Sequence, residues 1–160
     1  MTRSSEYALR ALIFLAQNKD RWPIPGREIS RATQVPSRYL QKVLGDLTRA
    51  GILDSTPGRT GGFRLRRPAE RIRLVSVLAP FERSQGRRCP FGNTVCSDQN
   101  PCGAHDQWKQ VVETEQRFLR EMTVGRVAQA TRRTSVSKRS GSHCRTFDLG
   151  PAIEKMLPIK

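Results

Sequence analysis

The sequence predicts a mainly α protein with a small β wing: a winged helix-turn-helix domain followed by a long dimerisation helix. Three observations carry this expectation. Apolar residues recur at helical spacing in the first 50 residues, with a Val35-Pro36 turn between the second and third helical stretches. A glycine- and proline-bearing segment, residues 56–62, joins two short strand-like runs. Further on, Trp108, Val111, Val112, Glu115, Phe118, Leu119 and Met122 form one mostly apolar seam.

The elements follow in order. Residues 4–18 read as a first helix through Ala8, Ala11, Leu12, Leu15 and Ala16, with Ser4 or Ser5 as its cap. Arg21 to Pro25 breaks it. A short helix over 25–33 has Pro25 at an early position and Ile29 and Ala32 facing inward. Ser37 caps a third helix to Ala50, whose core stripe is Leu40, Val43, Leu44 and Leu47. Gly51 ends it where a left-handed residue is favoured. Ile52 to Ser55 and Phe63 to Arg67 read as strands around a tight loop, and residues 70–82 as another short helix ending near Pro80. Asn100-Pro101 starts the long helix, which runs to Met122 and needs a partner surface. The resulting domains are 1–82, DNA-binding; 83–102, a cysteine-rich loop; 103–127, the dimerisation helix; and 128–160, a basic, flexible tail.

Charge narrows the function. Lys and Arg number 29 against 14 Asp and Glu, a net charge of +15 that points to a phosphate polyanion as partner. The longest apolar run, Ala11 to Ala16, is too short for a bilayer, so a cytoplasmic protein with no membrane partner is expected. There, clustered cysteines read as metal or redox sites rather than disulfides. With two histidines, no phosphate-cradling glycine loop after a strand and no nucleophile motif, an enzyme is not expected.

The chemistry concentrates at Cys89, Cys96 and Cys102, with His105 three residues after the last. Three thiolates and an imidazole within 17 residues are a set of metal or iron–sulfur ligands. Cys102 and His105 project from one side of a first helical turn. The gaps of six and five residues between the cysteines are loose for a zinc knuckle. Structural zinc and a metal-free thiol switch remain the alternatives. Cys144, beside His143, reads as a free thiol with no assigned role. On the DNA side, Ser37, Arg38, Gln41 and Lys42 lie at the end of the third helix that enters a major groove. Arg59, Gly61 and Arg64 lie in the wing, with Arg66 behind.

Taken together, these motifs resemble the IscR/NsrR family of bacterial regulators, also called the Rrf-two family. The resemblance covers roughly residues 1–127. It is carried by Tyr7-Ala8-Leu9-Arg10-Ala11-Leu12, Tyr39-Leu40, Ala50-Gly51-Ile52-Leu53, Gly61-Gly62-Phe63, the three cysteines, and Cys102-x-x-His105-x-x-Trp108. The chain departs from the family at Pro57, where an arginine is common, and in the six-residue gap after Cys89, where close cluster-binding relatives have five. The tail after residue 130 lies outside the resemblance.

The resemblance implies a homodimeric transcription regulator, a repressor, binding a palindromic double-stranded DNA operator under control of an iron–sulfur cluster. A two-iron (2Fe-2S) cluster is favoured over a four-iron one. Cys89, Cys96, Cys102 and His105 are its implied ligands, and Glu6 from the partner subunit is the alternative to His105. The signal sensed would be redox state, nitric oxide or cluster supply.

Overall fold

The computed structural model describes residues 2–82, 90–91 and 97–137, with side chains to residue 132. The chain divides into two compact units, residues 1–129 and 130–160. Of the second, residues 130–137 are described, and they are helical.

Helix α1 (Arg3–Gln17) buries Ala8, Ala11, Leu12 and Leu15 on one stripe. Its cap is Thr2 rather than Ser4 or Ser5: the Thr2 hydroxyl accepts the Ser5 N–H at 3.2 Å. Ser5 itself is fully buried, so its side chain belongs to the core face. Helix α2 (Gly26–Thr33) begins one residue after Pro25, and Gln34 turns the chain with φ 56°. Helix α3 (Ser37–Arg49) buries the expected Leu40, Val43, Leu44 and Leu47. Pro36, not Ser37, holds the cap position; its carbonyl accepts the N–H groups of Tyr39 and Leu40 at 3.0 Å each. Gly51 ends the helix at φ +68°, the left-handed conformation expected of it.

Strands β1 (Leu53–Thr56) and β2 (Gly62–Leu65) pair antiparallel, from Leu53 opposite Leu65 to Thr56 opposite Gly62. A third segment joins them. Ile24 and Phe63 exchange backbone hydrogen bonds of 3.0 and 2.9 Å, pinning the wing to the segment before α2. The sequence conceals this pairing because prolines flank Ile24, leaving one N–H to donate.

The helix expected over 70–82 is shorter. A 3₁₀ turn (Ala69–Arg71) precedes α4 (Leu74–Leu78). The reason is a tertiary pairing: the Leu74 N–H donates to Met122, and the Val124 N–H donates to Ile72, each at 2.9 Å. Residues 72 and 73 therefore adopt extended backbone, and the helix begins only at Leu74. The same pairing ends α5 (His105–Glu121) at Met122. Helix α5 also starts four residues later than the Asn100-Pro101 signal. Turns closed by Asn100 N–H on Ser97 and His105 N–H on Cys102 occupy that stretch.

A second difference lies beyond. Residues 128–137, read as flexible tail, belong to helix α6 (Val124–Ser137). Val124 and Ala128 are buried, Val127 packs on the core, and the Ala128 carbonyl accepts the Gln17 amide at 3.2 Å. The rest of the proposed tail, with Cys144, lies outside the described residues.

One core spans α1, α2, α3, the wing, α4 and the start of α6. Leu44 is completely buried in it. Leu44→Ala is expected to lower unfolding free energy by about 2–5 kcal/mol, through lost burial and the cavity left behind. Urea denaturation of both proteins measures this directly. Among the described residues, no helix is long and apolar enough to cross a membrane.

Candidate DNA face and cysteine-loop site

The α2–turn–α3 unit presents the start of α3 outward. Ser37, Arg38, Gln41 and Lys42 are all exposed there. Tyr39 is 62% exposed on the same surface and joins the candidates. Its phenol offers both a ring face and a hydroxyl. Gln41 lies back over Gly26: a Cβ on that glycine would sit 2.6 Å from the Gln41 amide nitrogen. That amide is thereby held close to the first turn of α2.

The wing places Arg59 at its exposed tip, next to Gly58 at φ +103°. Gly61 is buried, with its N–H on the Gly58 carbonyl at 3.1 Å. A Cβ there would overlap the Thr56 carbonyl oxygen, so Gly61 serves closure of the turn. Arg64 reaches Asp54 at 3.4 Å, and Arg66 approaches the same carboxylate at 3.9 Å. Asp54 thus competes with phosphate for two wing arginines. Asp54→Asn is expected to tighten duplex binding about threefold or more at low salt, the gain shrinking as salt rises. Fluorescence anisotropy at two ionic strengths reads this, and equal affinities would contradict it.

At the cysteine loop, Cys89 and Cys96 lie outside the described residues. Cys102 is half-buried and His105 buried, one turn apart where the chain enters α5. They share a cleft of about 410 Å³ with Asp98, Pro101 and Asp106. His105 Nε2 lies 2.8 Å from Asp98 Oδ1, and Lys109 Nζ reaches both oxygens of Asp98 at 2.9 and 3.0 Å. The Lys109 ammonium, and then His105, hold the Asp98 carboxyl below its ordinary range, while Asp98 pushes Lys109 up. A lowered carboxylate stabilises the fold above its ordinary range and loses that contribution as pH falls through its own. A raised lysine holds its contribution until pH rises through its own range. The link is therefore intact across the neutral window.

Asp98 escaped the sequence reading because an acidic residue in a loop carries no signal until its partners are placed. Around it, Phe91 meets Trp108 edge-on, with centroids 6.0 Å apart. The Trp108 indole N–H is buried and has no hydrogen-bond partner among the described residues. Glu6 is exposed in the first turn of α1 and paired with Arg10. Among the described residues, no three His, Cys, Asp or Glu side chains form a metal-holding group, so Glu6 does not join Cys102 and His105 within one chain.

These residues suit an iron–sulfur group. A thiol and an imidazole share one helical turn, and a carboxylate steadies the imidazole.

The fold and its outward basic helix define a winged-helix DNA-binding transcription regulator. Residues 1–130 match the family profile described as "Rrf2: Iron-dependent Transcriptional regulator", and the chain belongs to the Rrf2 family. A protein of Aquifex aeolicus assigned to the HTH-type transcriptional regulators is 31% identical over 121 residues, covering 74% of this chain and 83% of that one. The HTH-type transcriptional regulator IscR of Vibrio atlanticus is 26% identical over 139 residues, covering 87% and 80%. Two solved structures share the fold. The global cysteine regulator CymR of B. subtilis has a TM-score of 0.68 at 18% identity, covering 81% of this chain and 96% of that one. T. potens IscR has a TM-score of 0.64 at 18% identity, covering 89% and 92%.

Proposed function

We propose that the chain is a homodimeric repressor whose operator affinity is set by an iron–sulfur cluster held by Cys89, Cys96, Cys102 and His105. The observation that carries this reading is the Cys102–His105 turn at the head of α5, with His105 buried and held by Asp98. A two-iron cluster fits one imidazole among three thiolates. When bound, the group supplies a redox-active, oxidant- and nitric-oxide-reactive centre, and the imidazole is its most displaceable ligand.

The chain's own residues carry the consequence to DNA. His105 opens α5, and the far end of α5 is tied by the Met122–Leu74 and Ile72–Val124 backbone bonds to the segment just behind the wing. A shift of α5 therefore pulls on the wing domain, and α3 and Arg59 move against the operator. Val111 and Phe118, two turns apart on α5, are 54% and 49% exposed. This apolar face is where a second copy packs, placing two α3 helices in successive major grooves of a palindrome.

The test is an operator selected from random duplexes and titrated with cluster-loaded and stripped protein. A symmetric footprint and affinities differing at least about tenfold are expected, within the usual allosteric range. Equal affinities would overturn the regulatory reading.

A further inference from the structure

We infer that the cleft between the end of α1 and the base of the wing binds a small aromatic carboxylate, and that filling it fixes the wing. The inference stands apart from the cluster reading above. The cleft holds about 300 Å³, at the small end of ligand sites, which run from about 300 to 1,000 Å³. Trp22, Leu65 and Ala69 supply apolar lining, while Lys19, Arg66 and Arg67 set three cations against the single carboxylate of Glu70. Arg66 is shared with Asp54 at 3.9 Å, and Arg21, the next cation after Lys19, is paired with Glu28. Lys19 and Arg67 have no acidic partner among the described residues.

The walls are held in place before any ligand arrives. On one side the Trp22 indole N–H donates to the Leu15 carbonyl at 2.9 Å, so its ring and not its N–H is left for an occupant. On the other, the Arg66 N–H donates to Ile52 at 3.0 Å. The Ala69–Arg71 turn is backed by α6, where a Cβ on Gly125 would lie 2.8 Å from the Glu70 nitrogen. A preformed site spares much of the ordering cost of binding. A planar guanidinium matches the two oxygens of a carboxylate, an ammonium adds charge, and an aromatic ring suits the indole and its aliphatic neighbours. A DNA phosphate would use the charge but leave the apolar lining uncovered, and none of Ser37, Arg38, Gln41, Lys42 or Arg59 lines the cleft. Trp22 leads through Pro23 to Ile24, whose bonds with Phe63 hold the wing, and Leu65 ends β2. An occupant touching both walls braces this junction and with it the position of Arg59.

Benzoate is the probe, with benzamide as its uncharged counterpart and inorganic phosphate as the bare anion, all at one ionic strength. In the full chain labelled with ¹⁵N at the indole nitrogens, millimolar benzoate should shift the Trp22 signal saturably and leave Trp108, which is not part of this cleft, in place. Benzamide should bind at least about tenfold more weakly, and phosphate should leave the Trp22 signal unmoved. Lys19→Gln combined with Arg67→Gln changes two exposed side chains and should weaken benzoate about tenfold or more. Saturating benzoate should also change the wild-type affinity for duplex DNA about fivefold or more. An unmoved Trp22 signal, or benzamide or phosphate equalling benzoate, overturns the site. Duplex affinity blind to bound benzoate overturns the link to the wing. Weaker duplex binding by the double variant, with no benzoate binding by the wild type, assigns these cations to DNA phosphates and overturns the inference.

Discussion

Replacing Cys102 by alanine is expected to reduce bound iron and sulfide at least about tenfold and leave operator affinity insensitive to cluster reconstitution. In the proposed ligand set Cys102 is the thiol one turn before His105, at a turn whose geometry is set by the His105 N–H on the Cys102 carbonyl at 3.0 Å. That hydrogen bond is backbone, so alanine preserves it and helix α5 should form unchanged. The thiolate's loss leaves two cysteines and an imidazole, too few donors for a cluster. Circular dichroism separates ligand loss from misfolding: an unchanged helical signal with iron lost is the expected pair. Cys144→Ala serves as the comparison and should keep its iron. Full iron in Cys102→Ala would remove this residue from the ligand set.

Gly62→Ala is expected to destabilise the fold by about 3 kcal/mol and to weaken DNA binding through the wing. A Cβ at this position would overlap the carbonyl carbon and oxygen of Ile24 and lie 2.8 Å from Pro25 N. All three are backbone atoms, so no side chain can swing aside. Relief requires β2 to leave Ile24, breaking the paired hydrogen bonds of Ile24 and Phe63. The wing would then be held by β1 alone, and Arg59 would lose its fixed position. Thermal unfolding and duplex titration read the two effects together, and an unshifted melting temperature would contradict the account.

How much of this was legible in the sequence depends on whether the cause was local. The helical spacing of Ala8, Ala11, Leu12 and Leu15, and of Leu40 through Leu47, is a local pattern, and the structure buries those side chains as expected. Gly51 likewise stops α3 because only its own backbone conformation matters. The differences arise where distant segments meet. Residues 72 and 73 read as helix by apolar spacing, yet they are extended where Ile72 and Leu74 pair with Val124 and Met122. Val124, Val127 and Ala128 carried a helical signal of their own at i, i+3 and i+4. The basic, polar residues that follow masked it.

The site divides the same way. Cys102 and His105 were visible as a chemical pair three residues apart, and the fold places both beside one cleft. The Asp98 link became visible only with coordinates, because it depends on Asp98 folding back onto the first turns of α5. On the DNA face, Tyr39 shows the limit of residue type as a guide: its neighbour Leu40 is completely buried while it is not. Gly61, named with the wing's DNA contacts, also closes the wing turn through its N–H on the Gly58 carbonyl.

The central claim is that this Rrf2-family regulator carries an iron–sulfur cluster. The most direct test purifies the protein without oxygen, records its visible absorbance, and assays iron, sulfide and zinc on the same sample. A coloured protein with equal iron and sulfide, about two of each per chain, is the predicted result. A colourless protein with stoichiometric zinc, or with no metal after reconstitution, would contradict it and leave a winged-helix regulator switched through zinc or thiols.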